Sequence, residues 1–172
     1  KVLQKTKMLK SKVEKYEGLR SLFDDTLVLI DMANMEDDES YLDEISESVK
    51  QIKEKTEEMT LETRLSGDYD KNNAILTFHA GAGGTEAMDW VSMLVRMYTR
   101  WTERHGFKVQ LLDFLDGDEA GLKNASLLIE GENAYGYLKS ESGIHRLVRV
   151  SPFDSSGRRH TSFASLEVMP EI

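Results

Sequence analysis

The stretch AILTFHAGAGGTEAMDWVSMLVRMYTRWTERHG, Ala74 to Gly106, changes its hydrophobic period partway along. Ala74 to His79 is a short run of apolar and β-prone residues behind a polar turn, which reads as a buried strand. Beyond it the apolar positions are Ala87, Trp90, Val91, Leu94, Met97, Tyr98 and Trp101, the stripe of an amphipathic helix. Gly106 stands where a C′ glycine ends such a helix. Between the two lies Gly81-Ala82-Gly83-Gly84. A strand, a glycine loop and a helix in this order offer free backbone N–H groups at a positive helix end. The loop does not fit a P-loop, because no Gly-Lys-Ser/Thr follows and no lysine lies near the helix start. Nor are its glycines spaced G-x-G-x-x-G. No cofactor is expected, and an enzyme using this loop for a phosphate substrate is the weaker alternative.

Downstream, Phe107–Leu115, Ala125–Glu130, Ile144–Val150 and His160–Met169 read as further strands, the last two forming a hairpin. Ala134–Ser140 favours a short helix. Upstream, Gly67–Asn73 (GDYDKNN) is polar and turn-forming and marks a boundary. Before it, Val2, Leu9, Tyr16, Phe23 and Ile30 recur every seventh residue, with Val13 and Leu27 at i+4, in a helix over residues 1–34. The acidic Glu36-Asp37-Asp38-Glu39 then opens a second helix carrying Leu42, Ile45, Val49, Ile52, Thr56 and Met59, since negative charge suits a first helical turn. The expected fold is α+β: antiparallel long helices over residues 1–68, then a mixed β-sheet with one long amphipathic helix over residues 69–172.

The chain has 172 residues, 40% of them hydrophobic, and a net charge of -9. That composition supports a packed core and is not that of a disordered chain. No apolar run approaches the length of a membrane span, so no membrane partner is expected. Cysteine is absent, which fits a reducing compartment. The charge is uneven. Residues 24–70 carry sixteen acids against four bases, whereas residues 144–160 carry four arginines against one acid. Net charge bears on solubility, but a local basic patch is what meets a phosphate partner.

Catalytic chemistry is poorly supplied. His79, His105, His145 and His160 have no H-E-x-x-H or Cys/His metal spacing, and there is no G-x-S-x-G elbow. Glu132 and Glu141 are read as surface acids rather than a catalytic pair. No catalytic and no metal-ligating residue is expected.

The hairpin tip reads VRVSPFDSSGRRHTSFAS, Val148 to Ser165. Its hydroxyls, its Phe and His rings and its two adjacent arginines suit unstacked RNA bases and phosphates. On these residues alone, an ordinary Pro/Gly hairpin loop with solvated arginines is the simpler account.

AGAGGTEAMDW (Ala80–Trp90), SGIHRLVRVSPFDSSGRRHTSFAS (Ser142–Ser165) and the acidic helical pair before them closely resemble the bacterial class I peptide chain release factors. The likeness covers nearly the whole chain. Ser151-Pro152-Phe153, where a sister branch carries Pro-x-Thr, implies the branch that reads UAA and UGA. The resemblance implies that Gly83 and Glu86 hold the first uridine, largely through backbone groups. It implies that Ser151, with Pro152 and Phe153, faces the second base, that His160 stacks between the second and third, and that Thr161 reads the third. Arg158 and Arg159 would contact phosphates. The implied partners are the ribosome's small-subunit decoding site, the mRNA stop codon and ribosomal RNA, in the cytoplasm. The family's peptidyl-transferase arm carries Gly-Gly-Gln, whereas Gln occurs here only at Gln4, Gln51 and Gln110. Gly83-Gly84-Thr85 is a superficial lookalike. The chain is therefore expected to be a fragment, beginning as it does with Lys1, and not to release peptide by itself. The alternative is a ribosome-rescue or decoy relative that binds ribosomes without reading a codon.

Overall fold

The computed structural model describes residues 2–172. Lys1, with which the sequence reading starts the first helix, lies outside the described residues. Two compact units divide at Arg64/Leu65, and each is described by itself. The boundary expected at 68/69 falls in the polar turn just beyond.

In the first unit, α1 (Val2–Glu36) and α2 (Leu42–Arg64) are joined through a short 3-10 turn, Glu39–Tyr41. The Lys15 Nζ–Glu62 Oε1 ion pair at 2.6 Å ties the early part of α1 to the end of α2, so the helices run antiparallel. The acidic cluster serves both helices. Glu36 ends α1, Asp37 takes the left-handed conformation (φ 49°), and the Asp38 N–H donates to Ala33 C=O, a Schellman-type close. The Asp38 carboxylate then accepts from Ser40 N–H at 2.8 Å and caps the next turn.

The heptad seen in the sequence is not the seam. Leu9, Tyr16 and Phe23 remain about half exposed. The less exposed residues of α1 are Met8, Ser11, Leu19, Leu22, Thr26, Leu29, Ile30 and Ala33, so of the expected heptad only Ile30 turns inward. Apolar residues occur all round α1, so two stripes competed and spacing could not choose between them. On α2 the expected Ile45, Ile52 and Met59 do turn inward, while Leu42 and Val49 do not. No described helix is long and apolar enough to cross a membrane.

The second unit holds β1 (Ala74–Ala80), α3 (Thr85–Arg104), β2 (Lys108–Asp116), β3 (Leu122–Glu130), α4 (Ala134–Leu138), β4 (Gly143–Val150) and β5 (Arg159–Pro170). The strands form one sheet in the order β2-β3-β1-β5-β4. The class is α+β as expected, but the sheet is antiparallel throughout rather than mixed. The β1–α3–β2 crossover does make its two strands run the same way. They never touch, because β3 inserts between them and pairs antiparallel with both.

Period-two alternation puts Ala74, Leu76 and Phe78 of β1, Ala125, Leu127 and Ile129 of β3, and Ala164, Leu166 and Val168 of β5 on one buried face. The Val91, Leu94 and Tyr98 stripe of α3 closes over that face. Each large aliphatic side chain buried here contributes about 1.5–3 kcal/mol. The edge strand β4 has fewer buried residues and is held to α3 by polar ties, among them Trp90 Nε1–H to His145 C=O at 3.0 Å.

Candidate nucleic-acid interface

Two segments far apart in sequence meet at one end of α3. The first is the glycine loop. Its Gly81 N–H donates to Phe163 C=O at 2.8 Å, and the Phe163 N–H donates to Ala82 C=O at 3.1 Å, so the loop continues the β1–β5 pairing past the end of the strand. Gly83 has φ 130°, and a Cβ there would lie 2.8 Å from the Ser162 Cβ. Only glycine gives both that backbone angle and that approach. Gly84 follows as N-cap (φ 58°), its carbonyl accepting from Ala87 and Met88. The first-turn amides ahead of those bonds lie at the positive helix end.

The second segment is the β4–β5 hairpin tip. The Ser151 N–H donates to Arg158 C=O at 3.3 Å and closes it, and Gly157 N–H donates to Asp154 C=O at 3.0 Å inside. Arg149 on β4 lies directly across from His160 on β5. Its guanidinium spans the helix start: Nε meets Glu86 Oε1 and Nη2 meets Asp89 Oδ2, each at 2.5 Å, and Nη1 meets Met93 Sδ at 3.3 Å. Glu86, Asp89 and Met93 recur at i, i+3 and i+7, one face of α3. Ser151 Oγ–H donates to Glu86 Oε2 at 2.7 Å and accepts the Phe153 N–H at 3.2 Å.

Glu86 is 6% exposed and Ser151 5%. Burial pushes the Glu86 carboxyl up, but hydrogen bonds from Arg149 and Ser151 and the nearby Arg149 and His160 charges outweigh it, holding Glu86 below the usual carboxylate range. Asp154 is held far below that range by the Ser156 hydroxyl first, then by His160, the Ser156 N–H and Arg158.

The expected site residues separate into distinct environments. Pro152 and Phe153 are exposed, Phe153 to 47%. Ser151 and Glu86 are sequestered and bonded to each other. His160 and Thr161 are both exposed, on opposite sheet faces: His160 shares the α3 side with Ser162 and Ala164, and Thr161 shares the other with Phe163. Gly83 packs on β5 beneath them. Arg158 pairs with Asp154 at 3.2 Å, whereas Arg159 makes no ion pair among the described residues. Sequence reasoning missed Arg149 and Asp154. A lone cation alternating with Leu147 on the helix-facing side of β4 was the available signal for Arg149. Asp154 looked like any turn aspartate.

Comparisons with known proteins show the family of the chain. The PCRF domain family matches residues 1–166, and the chain belongs to that family. The relatives it matches closely are peptide chain release factor 2 proteins. It is 55% identical over 171 residues to the one from a Nitratiruptor species, covering 99% of this chain and 46% of that protein. It is 54% identical over 171 residues to the one from Staphylococcus epidermidis, again covering 99% and 46%. The solved structure of "RF2 of Thermus thermophilus" is similar with a TM-score of 0.69 and 46% identity, over 95% of this chain and 46% of that one. The chain thus spans about half the length of the curated relatives it matches.

Proposed function

We propose that this chain carries the stop-codon-reading part of a bacterial translation termination factor, working in the cytoplasm on ribosomes whose decoding site holds UAA or UGA. The observation that carries this reading is the 2.7 Å bond from Ser151 Oγ to Glu86 Oε2, which gathers the hairpin tip and the start of α3 into one place. The first-turn amides beside Gly83 and Glu86 suit the acceptor oxygens of a uridine. Consecutive side chains on opposite faces of a strand can separate consecutive nucleotides. His160 then stacks on the second base from the helix side, and Thr161 meets the third from the other.

The hydroxyl of Ser151 can serve either purine at the second position. Adenine presents an amino group there, and guanine a carbonyl. With its proton on Glu86 and one lone pair taken by Phe153 N–H, Ser151 Oγ keeps a lone pair for the adenine amino group. Rotating the hydroxyl away from Glu86 lets it donate to guanine O6. Arg159 supplies charge for phosphates, and Arg158, paired with Asp154, adds less. Hydrolysis of the peptidyl-tRNA ester is proposed for the whole protein. The residues of this chain select the codon rather than react.

The test exchanges the tripeptide in a full-length protein carrying this segment, by Ser151→Pro together with Phe153→Thr. Release should move away from UGA. An unchanged codon preference contradicts the assignment of the reading loop. Equal binding of the unaltered protein to sense and stop codons would favour a decoy that reads nothing.

A further inference from the structure

Asp154 gathers the hairpin tip around one carboxylate. Its Oδ1 accepts from Ser156 N–H at 2.9 Å and from the Ser156 hydroxyl at 2.5 Å. Its Oδ2 accepts from Arg158 Nε–H at 3.2 Å and from His160 Nε2–H at 2.6 Å. The Asp154 side chain is only 13% exposed although it sits in a surface loop, while the His160 side chain it holds is 43% exposed. The bond joins a loop residue to the second residue of the returning strand β5, six residues on.

We infer that Asp154 is the positioning residue for His160: it fixes the imidazole and the turn between Ser151 and Arg158 before any RNA arrives. This rests on the proposed reading, in which His160 stacks on a base. An exposed ring otherwise samples several rotamers, and ordering it at the moment of binding weakens the complex. A carboxylate has no proton to give, so Nε2 must carry the hydrogen and Nδ1 is left free toward other partners. The two oxygens divide the work. Oδ1 builds the Asx-type turn through Ser156, and Oδ2 holds the ring and Arg158.

That division makes the inference testable apart from the reading itself. Asp154→Asn can keep the turn through its amide oxygen while placing an N–H donor against Nε2–H. Asp154→Ala removes both contacts. NMR on the 172-residue chain without RNA should find the His160 ring ordered like the backbone and in the Nε2–H tautomer at about pH 8. In Asp154→Ala the ring should become mobile. In Asp154→Asn the turn amides should stay protected while the ring loosens or changes tautomer.

In a full-length protein carrying this segment, both variants should lose about tenfold in affinity for ribosomes holding a stop codon, and little for those holding a sense codon. Asp154→Glu should recover part of the loss. A His160 ring that stays ordered in Asp154→Ala overturns the inference. So does a stop-codon loss for His160→Ala that Asp154→Asn does not share, since a turn-forming role alone predicts that result. If His160→Ala itself costs nothing, the codon reading fails, and the NMR result alone still reports whether Asp154 holds the ring.

Discussion

Ser151 in the hairpin tip gives its hydroxyl proton to Glu86 in the first turn of α3, at 2.7 Å, joining two segments 65 residues apart. Arg149 demands an oxygen on the other side of the same carboxyl, at Oε1. In Glu86→Gln the amide oxygen should therefore stay with Arg149, and the amide N–H₂ should donate to Ser151 Oγ. The Ser151 proton is then free for a guanine carbonyl. The variant should shift codon preference from UAA toward UGA by roughly five- to tenfold, the worth of one net hydrogen bond. Affinities for ribosomes carrying each codon measure it. An unaltered ratio would mean that Glu86 does not govern the hydroxyl.

Arg149 is the shared partner of two carboxylates at the core's edge. Arg149→Ala leaves Glu86 buried and Asp89 partly buried without a cation, at a cost of about 2–4 kcal/mol. Urea unfolding of the chain checks the value. Replacing all three groups by apolar residues of similar size should cost less, because no unpaired charge remains.

Stability should depend on pH through the same group. The folded Glu86 carboxyl lies below its ordinary value, so its contribution is present above the unfolded carboxylate range and is lost as pH falls through the folded value. Asp70, held low by Lys139 and the Gly67 N–H against its burial, adds to the same trend. Unfolding midpoints should fall steadily below about pH 4. Glu86→Gln should flatten that fall.

Gly83→Ala tests the docking of the glycine loop. The new Cβ meets Ser162 within 2.8 Å at a backbone angle that side chains rarely adopt. The expected loss is about 1–3 kcal/mol, read as a lowered melting temperature. Gly84→Ala meets no neighbour, so its cost should come from the backbone angles alone (φ 58°, ψ -134°).

Much of the second unit was legible from sequence because its periods are clean. The α3 stripe, the strand alternation and Gly106 all gave their elements to within a few residues. Connectivity was harder. The strand order puts β3 between β1 and β2, and no local pattern in Leu122–Glu130 announces that insertion. In the first unit, apolar residues all round α1 hid which stripe would face α2. The expected site residues came from the resemblance to the release factors, which said nothing of the partners that hold them. Arg149 meets Glu86 only once the hairpin folds back over α3, and Asp154 meets His160 only once the hairpin tip closes.

The two adjacent arginines should behave differently toward salt. Arg158 already neutralises Asp154, whereas Arg159 has no ion-pair partner among the described residues. Arg159→Ala should reduce the salt slope of ribosome binding by about one, and Arg158→Ala by less. Equal effects would mean that Arg158 leaves Asp154 in the complex.

The most direct test compares affinities of a full-length protein carrying this segment for ribosomes with UAA, UGA, UAG or a sense codon in the decoding site. UAA and UGA should bind about a hundredfold or more tighter than UAG and the sense codon, and His160→Ala should lose roughly one to two decades of that preference. Equal affinity for all four, or a preference indifferent to His160, would contradict the account.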